Sequence, residues 1–365
     1  MKIAIDSREF FGFAGKARYI REIVCELFNV DLKNNEIVIF AKAKPNLPFN
    51  NSIKFCLLPK TKYPFSTNFW LRKKLKSENF DVFFCPTGFL PAIFSPIKTV
   101  ITVHDLSVYR NDCGASKKVK FMEKTLLPMA IKEADKIIAV SQSTKNDIIS
   151  HFGNQYAKKI IVTHLAADRK FKKLFKNQAK NTLEKYFLKY QKYLLSVGTI
   201  EPRKNYLNLI KAFSSLPSEI QQNYPLIIIG KYGWNYAEIL REAEKNENIR
   251  IFSNIDDTDL VSIINGTKIF CYPSLYEGFG LPILEAMNCK VPIITSKISS
   301  LPEVAGNAAM YIEPNSPSLI SRAIEKLLSD QELCDNLVKF GKIQSKKFSW
   351  QKTTQETLDV IVYNC

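Results

Sequence analysis

Tyr272-Pro-Ser-Leu-Tyr-Glu-Gly-Phe-Gly-Leu-Pro-Ile-Leu-Glu-Ala-Met287 is the stretch on which the reading of this chain turns. It begins at the end of the short apolar run Ile269–Tyr272, a buried strand, and ends in Leu281–Met287, a helical pattern. Gly278 and Gly280 form the turn between them. Pro282 suits a first helical turn, because its missing N–H would be unpaired there anyway. The backbone N–H groups of Phe279, Gly280 and Leu281 then point at a phosphate, aided by the helix dipole. Glu285 sits about one turn inside the helix, where a carboxylate accepts hydrogen bonds from two vicinal hydroxyls. Glu277 stands before the turn, within reach of the group beyond the phosphates. The same residues admit a plainer reading, in which the glycines serve packing and the glutamates are surface charges.

Outward from this segment, short apolar runs alternate with longer amphipathic stretches. Lys2–Ile5, Glu36–Phe40, Val82–Cys85, Thr99–Val103, Lys136–Val140 and Lys159–Val162 read as buried parallel strands, with helical patterns such as Tyr19–Phe28 and Ser116–Glu133 between them. The rhythm restarts with Tyr193–Val197, Leu226–Ile229, Ile249–Phe252, Ile269–Tyr272 and Val291–Thr295. Two such series predict two Rossmann-like, doubly wound α/β domains. The expected division is residues 1–185, residues 186–347, and a terminal helix in 348–365 that crosses back to the first domain. The first boundary is drawn in the basic stretch Arg169–Lys192.

The whole chain has 365 residues, of which 46% are hydrophobic and 24% charged, a globular composition too long for one ordinary core. The eight cysteines are scattered without a C-x-x-C pair and meet only three histidines, so neither a zinc cluster nor a metal cofactor is expected. Scattered thiols and a start, MKIAIDSREF, that reads as a strand predict a cytoplasmic protein. Phe83–Ile97, the nearest approach to a membrane span, is broken by Pro86, Pro91 and Pro96. Residues 1–190 carry 34 basic and 16 acidic side chains, whereas 191–365 carry 18 and 19, so the first half faces something anionic.

The Tyr272–Met287 segment resembles the E-x7-E motif of retaining glycosyltransferases of family 4, whose GT-B fold has two facing Rossmann-like domains with a cleft between them. The resemblance extends along nearly the whole chain and is closest to mannosyltransferases of surface-polysaccharide pathways. Gly198-Thr-Ile-Glu-Pro-Arg-Lys-Asn205 is similar to the family loop whose cations neutralise the donor diphosphate. Lys204 is the closer match there and Arg203 its neighbour; some members carry the arginine directly after the glycine, where this chain has Thr199. A histidine at the C-terminal edge of a strand stands in the crevice where α/β proteins bind ligands. The resemblance implies that His104, in Thr102-Val-His-Asp-Leu106, contacts the donor sugar. Gly12 and Gly15, in Phe11-Gly-Phe-Ala-Gly-Lys-Ala-Arg-Tyr19, match the family's first glycine loop, which a plain tight turn also explains. Ser141-Gln-Ser-Thr-Lys145 resembles a serine-bearing loop whose hydroxyls equally suit a helix cap. The nucleotide base is expected against Ile255.

The resemblance thus implies a metal-independent transferase without a cofactor. It takes a nucleotide-diphosphate sugar (GDP-mannose first, a UDP-hexose second) to a glycan or lipid-linked acceptor. Asp257-Thr-Asp259 fits a D-x-D metal pattern but precedes a helix, where Asp is a common first-turn residue. One departure is Asn288-Cys-Lys-Val-Pro292, in which Lys290 stands where the family commonly has glycine. The segment Lys60–Lys76 sets Tyr63, Phe65, Phe69 and Trp70 among six Lys/Arg residues. It suits the interface of an anionic membrane on the cytoplasmic side, or equally a solvated helix with its aromatics in the core. Two other functions compete: a basic nucleic-acid-binding protein, against which stands the lack of a recognition motif, and a nucleotide-sugar epimerase of the same fold.

Overall fold

The computed structural model describes residues 1–12, 15–48, 50–60, 64–110 and 117–363. The chain forms two compact units. Unit 1 comprises Met1–Leu106, Lys117–Ala166 and Ser349–Cys365; unit 2 comprises Ser107–Ser116 and Ala167–Phe348. The division falls between Ala166 and Ala167, ahead of the boundary at 185 expected from sequence, so the basic stretch after Arg169 lies in unit 2. Counted by unit, unit 1 holds 26 basic and 15 acidic residues and unit 2 holds 26 and 20. The charge excess is therefore shared more evenly than a split at residue 190 suggests.

Unit 1 is built on a seven-stranded parallel sheet: β1 (Lys2–Asp6), β2 (Glu36–Ala41), β3 (Ile53–Leu57), β4 (Val82–Cys85), β5 (Lys98–Val103), β6 (Lys136–Ala139) and β7 (Ile160–Val162). Their order is β3-β2-β1-β4-β5-β6-β7. The central strands are sealed on both faces, as the continuous burial of β4 shows. The last helix, Trp350–Tyr363, packs against helix Gly15–Glu26 and β6, with Trp350, Leu358 and Ile361 buried. It thereby completes the core of unit 1, from the far end of the sequence.

Unit 2 repeats the plan with six parallel strands: β8 (Leu194–Val197), β9 (Leu226–Ile229), β10 (Ile249–Phe252), β11 (Ile269–Tyr272), β12 (Ile293–Ser296) and β13 (Met310–Ile312). The order is β10-β9-β8-β11-β12-β13. In each unit the order reverses once, between β1 and β4 and between β8 and β11. Loops leaving the C-terminal ends of such a strand pair diverge, and the crevice between them is where open α/β sheets bind ligands. Strands β3 and β13 lie outside the sequence expectation. Both are half-covered sheet edges; Lys54 interrupts the apolar run of β3, and β13 is only three residues long.

The departure at Lys290 has a structural counterpart. Helix Leu281–Asn288 closes with Val291 N–H donating to Ala286 O at 3.1 Å and Lys290 N–H to Met287 O at 2.9 Å. This is a Schellman closure, and Lys290 occupies its left-handed position at φ 57°, where glycine is usual.

Candidate functional site

The reversal between β8 and β11 holds a cluster of charged side chains within unit 2. Two loops bring them there. The first leaves β8 through Gly198, at φ +154°, and passes a single 3-10 turn, Pro202–Lys204, before helix Tyr206–Ser214. Gly230, at the end of β9, lets the first loop lie close, because a Cβ there would sit 1.8 Å from Gly198 O. Asn205 takes a left-handed φ of 62° and donates through Nδ2 to Pro273 O and Pro314 O at 3.0 and 2.6 Å, tying the first loop to the second. Leu275 N–H donates to Arg203 O at 2.8 Å, a further tie.

At the centre stands the Glu277 carboxylate. Lys204 Nζ donates to Glu277 Oε1 at 2.5 Å and to the Tyr272 hydroxyl at 2.8 Å, and that hydroxyl donates in turn to Oε1 at 2.8 Å. Arg203 Nη1 donates to Glu277 Oε2 at 2.8 Å and to Tyr276 O at 3.0 Å, while its Nε reaches Glu201 Oε1 at 2.8 Å. Burial opposes ionisation of Glu277, but Arg203 and Lys204 outweigh it and hold the carboxyl down at about 2. Burial lowers the Lys204 pKa, against the attraction of Glu277. With its partner ionised at neutral pH, the ammonium stays charged, and two of its three N–H donors are committed. Glu201, Arg203, Lys204 and Glu277 together form an electrically balanced quartet, so the two cations are fixed in place by carboxylates.

The turn beyond Glu277 is held from β12. Ser299 Oγ accepts from Glu277 N–H at 3.0 Å, and Ser300 Oγ donates to Glu277 O and Phe279 O at 2.9 and 2.8 Å. Of the two turn glycines only Gly280 takes a positive φ, 106°, and it caps helix Leu281–Asn288 with Pro282 in the first turn. Phe279 is buried and packs edge-on to Phe348 at 5.8 Å. Glu285 is buried on that helix at 2% exposure, and Ile255 is half-buried in the loop after β10. Tyr272, Asn205, Ser299 and Ser300 were not singled out from sequence. Tyr272 opens the quoted motif, but nothing in its spacing shows that its hydroxyl closes the triangle.

In unit 1, His104 follows β5. Its Nε2 lies 2.8 Å from Pro86 O, and its ring stands edge-on to Tyr19 at 5.0 Å. A carbonyl only accepts, so Nε2 carries the proton and Nδ1 of the neutral ring is an acceptor. Burial, helped by the charge of Lys16, pushes His104 down to about 4, so it is neutral at pH 7. Gly12 closes the turn after β1 by donating to Glu9 O at 2.9 Å, and a Cβ on it would stand 2.9 Å from Ala17 Cβ. Gly15 opens helix Gly15–Glu26 with open space around its Cβ position; Phe13 and Ala14 lie outside the described residues.

Several other expectations resolve into structure. Ser141 caps helix Gln142–Phe152, its Oγ accepting from Thr144 N–H at 3.0 Å. Asp257 and Asp259 open helix Asp257–Gly266 and pair with Lys170 and Lys185, each at 2.7 Å. Among the described residues no three His, Cys, Asp or Glu side chains gather as metal ligands, and no helix is long and apolar enough to cross a membrane. In helix Pro64–Ser77, Trp70 packs against Phe40 at 6.3 Å, whereas Phe69 stays 63% exposed. Tyr63 lies outside the described residues, as does the side chain of Phe65.

Known proteins share this architecture and sequence. A family profile described as Glycosyltransferase Family 4 matches residues 13–171, and one described as Glycosyl transferases group 1 matches 175–344. O-antigen chain mannosyltransferase B of Escherichia coli is 36% identical over 266 residues, covering 72% of this chain and 69% of that protein. Serotype-specific mannosyltransferase WbdA of Escherichia coli is 35% identical over 74% of this chain, which spans only 34% of WbdA. Among solved structures, Anabaena Alr3699/HepE in complex with UDP and glucose superposes with a TM-score of 0.78 at 14% identity, covering 100% of both chains. WaaG, a glycosyltransferase involved in lipopolysaccharide biosynthesis, gives 0.73 at 17% identity, covering 99% of this chain and 100% of its own. The chain belongs to glycosyltransferase family 4 and has the GT-B fold.

Proposed function

We propose that the protein moves mannose from GDP-mannose to a glycan or lipid-linked acceptor in surface-polysaccharide synthesis, with retention at the anomeric carbon and no metal. The observation that carries this reading is the Arg203–Lys204–Glu277–Tyr272 cluster at the reversal point of a sheet in a family 4 chain. The mannosyltransferases among its relatives support mannose, and they favour transfer over epimerisation. A UDP-hexose is the second choice of donor, supported by the UDP bound to a structural neighbour.

In this reading the donor diphosphate lies against the remaining donor of Lys204, Arg203 and the first turn of helix Leu281–Asn288. Gly198, Gly280, Phe279 and Leu281 shape that approach, and Gly12 and Gly15 keep the first loop of unit 1 low. Ile255 lies against the base, and Glu285 receives the ribose hydroxyls. Glu277 acts on the sugar and holds both cations. His104, neutral, accepts from a sugar hydroxyl at Nδ1. Negative charge develops on the leaving diphosphate as the glycosidic bond breaks, and cations already fixed by Glu201 and Glu277 stabilise it without reorganisation. The acceptor hydroxyl attacks from the same face and passes its proton to the departing phosphate. The exposed Phe69 beside Lys73 and Lys76 is assigned to an anionic lipid surface at the inner face of the cytoplasmic membrane, not to nucleic acid.

The test is a transfer assay with GDP-mannose and UDP-glucose, with the product anomer read by NMR. Glu285→Ala should raise the donor KM most, and Lys204→Ala should lower kcat as well. Wild-type kinetics in both variants would remove the clamp assignment.

A further inference from the structure

The charged cluster of unit 2 is neutral before any donor arrives, because Glu201 and Glu277 balance Arg203 and Lys204. The donor of the proposed function brings a dianionic diphosphate. A neutral cluster offers such a group hydrogen bonds but little net attraction, since each cation's field is largely cancelled by the carboxylate beside it. Net attraction then has to come from a cation outside the quartet.

Arg110 stands where such a cation is needed. Beyond β5 the chain passes a single 3-10 turn, Ser107–Tyr109, in which Val108 is buried, and from Ser107 it belongs to unit 2. There the Arg110 guanidinium lies over the Tyr276 ring, its Cζ 5.1 Å from the centroid. The tyrosine is buried at 2% exposure, whereas Arg110 is exposed. The ring is thus a fixed floor, and the guanidinium rests on its solvent side. The carbonyl of the same tyrosine accepts from Arg203 Nη1 at 3.0 Å. One residue of the motif therefore carries one guanidinium on its ring and another on its backbone. Tyr276 directly precedes Glu277, whose N–H is held by Ser299, so both cations are keyed to the turn that leads into helix Leu281–Asn288.

Arginine suits this position better than lysine. A guanidinium over an aromatic face is attracted through that face and keeps the N–H donors in its plane for an oxyanion. Its fork matches two oxygens of one phosphate.

We propose that Arg110 binds the β-phosphate of the donor, the phosphate that carries the sugar. The choice of phosphate follows from the neighbouring residue: Glu277 acts on the sugar in the proposed function, and the β-phosphate is the one beside it. As the bond from the anomeric carbon to the phosphate oxygen breaks, its electron pair stays on that oxygen. The acceptor oxygen bonds to the carbon, and its proton goes to the departing phosphate. Arg110 meets the charge that builds on the leaving group, which Arg203 and Lys204, each held by a carboxylate, meet only in part. This assignment rests on the nucleotide-sugar reading of the site.

The test compares diphosphates with monophosphates, GDP with GMP and UDP with UMP, by calorimetry on the intact protein. Arg110→Ala should weaken the diphosphate that the wild type prefers about tenfold, and its monophosphate less than about threefold. Arg110→Lys, which keeps the charge without the planar fork, should fall between. The kcat for transfer should drop in the same order, because the contact is made to the leaving group. Equal losses for diphosphate and monophosphate would reduce Arg110 to packing on Tyr276 and overturn the proposal, as would an unchanged diphosphate affinity. In both of those cases nucleotide binding by the wild type would still uphold the donor reading. A wild-type protein that binds none of the four nucleotides would sink the proposal and the donor reading together.

Discussion

Tyr272 shows how much of the site rests on one hydroxyl. It accepts from Lys204 and donates to Glu277, so it fixes the orientation of both charges in a buried setting. Tyr272→Phe keeps the ring and removes the hydroxyl; kcat should fall about tenfold, the equivalent of ~1.4 kcal/mol, with a smaller change in donor KM. Steady-state kinetics with the natural donor check this, and an unchanged kcat would show the triangle to be idle. His104 offers a spectroscopic test. Its pKa is depressed to about 4, so the unfolded chain binds that proton more readily, and this contribution to stability is lost as pH falls from the ordinary 6.5 toward 4. The ring resonances should stay constant from pH 8 to 5.5 and move below that; a midpoint near 6.5 would contradict the enclosure described. Lys290, left-handed at the helix closure, is a small reservoir of strain. Lys290→Gly should raise stability by roughly 0.5–1 kcal/mol in a denaturant titration, the relief of backbone strain exceeding the added freedom of the unfolded chain.

Among the elements, the loops after β8, β9 and β11 depend on one another through Gly230. A methyl group there cannot fit beside Gly198 O, so Gly230→Ala must push the first loop away from Lys204's observed place. The variant should lose about 1–3 kcal/mol of stability and bind nucleotide more weakly; a native melting temperature would mean the loops yield freely. Much of this was legible beforehand. Long apolar runs such as Leu226–Ile229 announce central strands, and the glycine turn before Leu281 announces the start of a helix. The edge strands β3 and β13 were not legible, because Lys54 interrupts the first and the second is only three residues long. Nor were Ser299 and Ser300, whose hydroxyls matter only because β12 lies beside β11. The basic helix Pro64–Ser77 had two readings from sequence, a membrane interface or a solvated helix with its aromatics in the core; Trp70 turns inward as the second expects, while Phe69 remains outside.

At the scale of the molecule, the two βαβ series announced two units, but the division between them was placed too late. Composition drew it into the lysine-rich stretch, whereas the packing changes at Ala166. Each unit carries one reversal of strand order, and each reversal carries a polar site of distinct chemistry. In unit 2 it is the balanced quartet of Glu201, Arg203, Lys204 and Glu277; in unit 1 it is a cavity lined by Lys16, Lys42 and Lys60 together with Leu58, Leu90 and Met122. The central claim is that the unit 2 site accepts a nucleotide-diphosphate sugar, with guanine as its base. A thermal-shift panel of GDP, UDP, ADP and their sugar conjugates on the intact protein tests this most directly, since a ligand that binds only the folded state raises its melting temperature. Selective stabilisation by GDP and GDP-mannose, lost in Lys204→Ala, is the expected result. Equal melting temperatures with every nucleotide, in protein shown to be folded, would contradict the account.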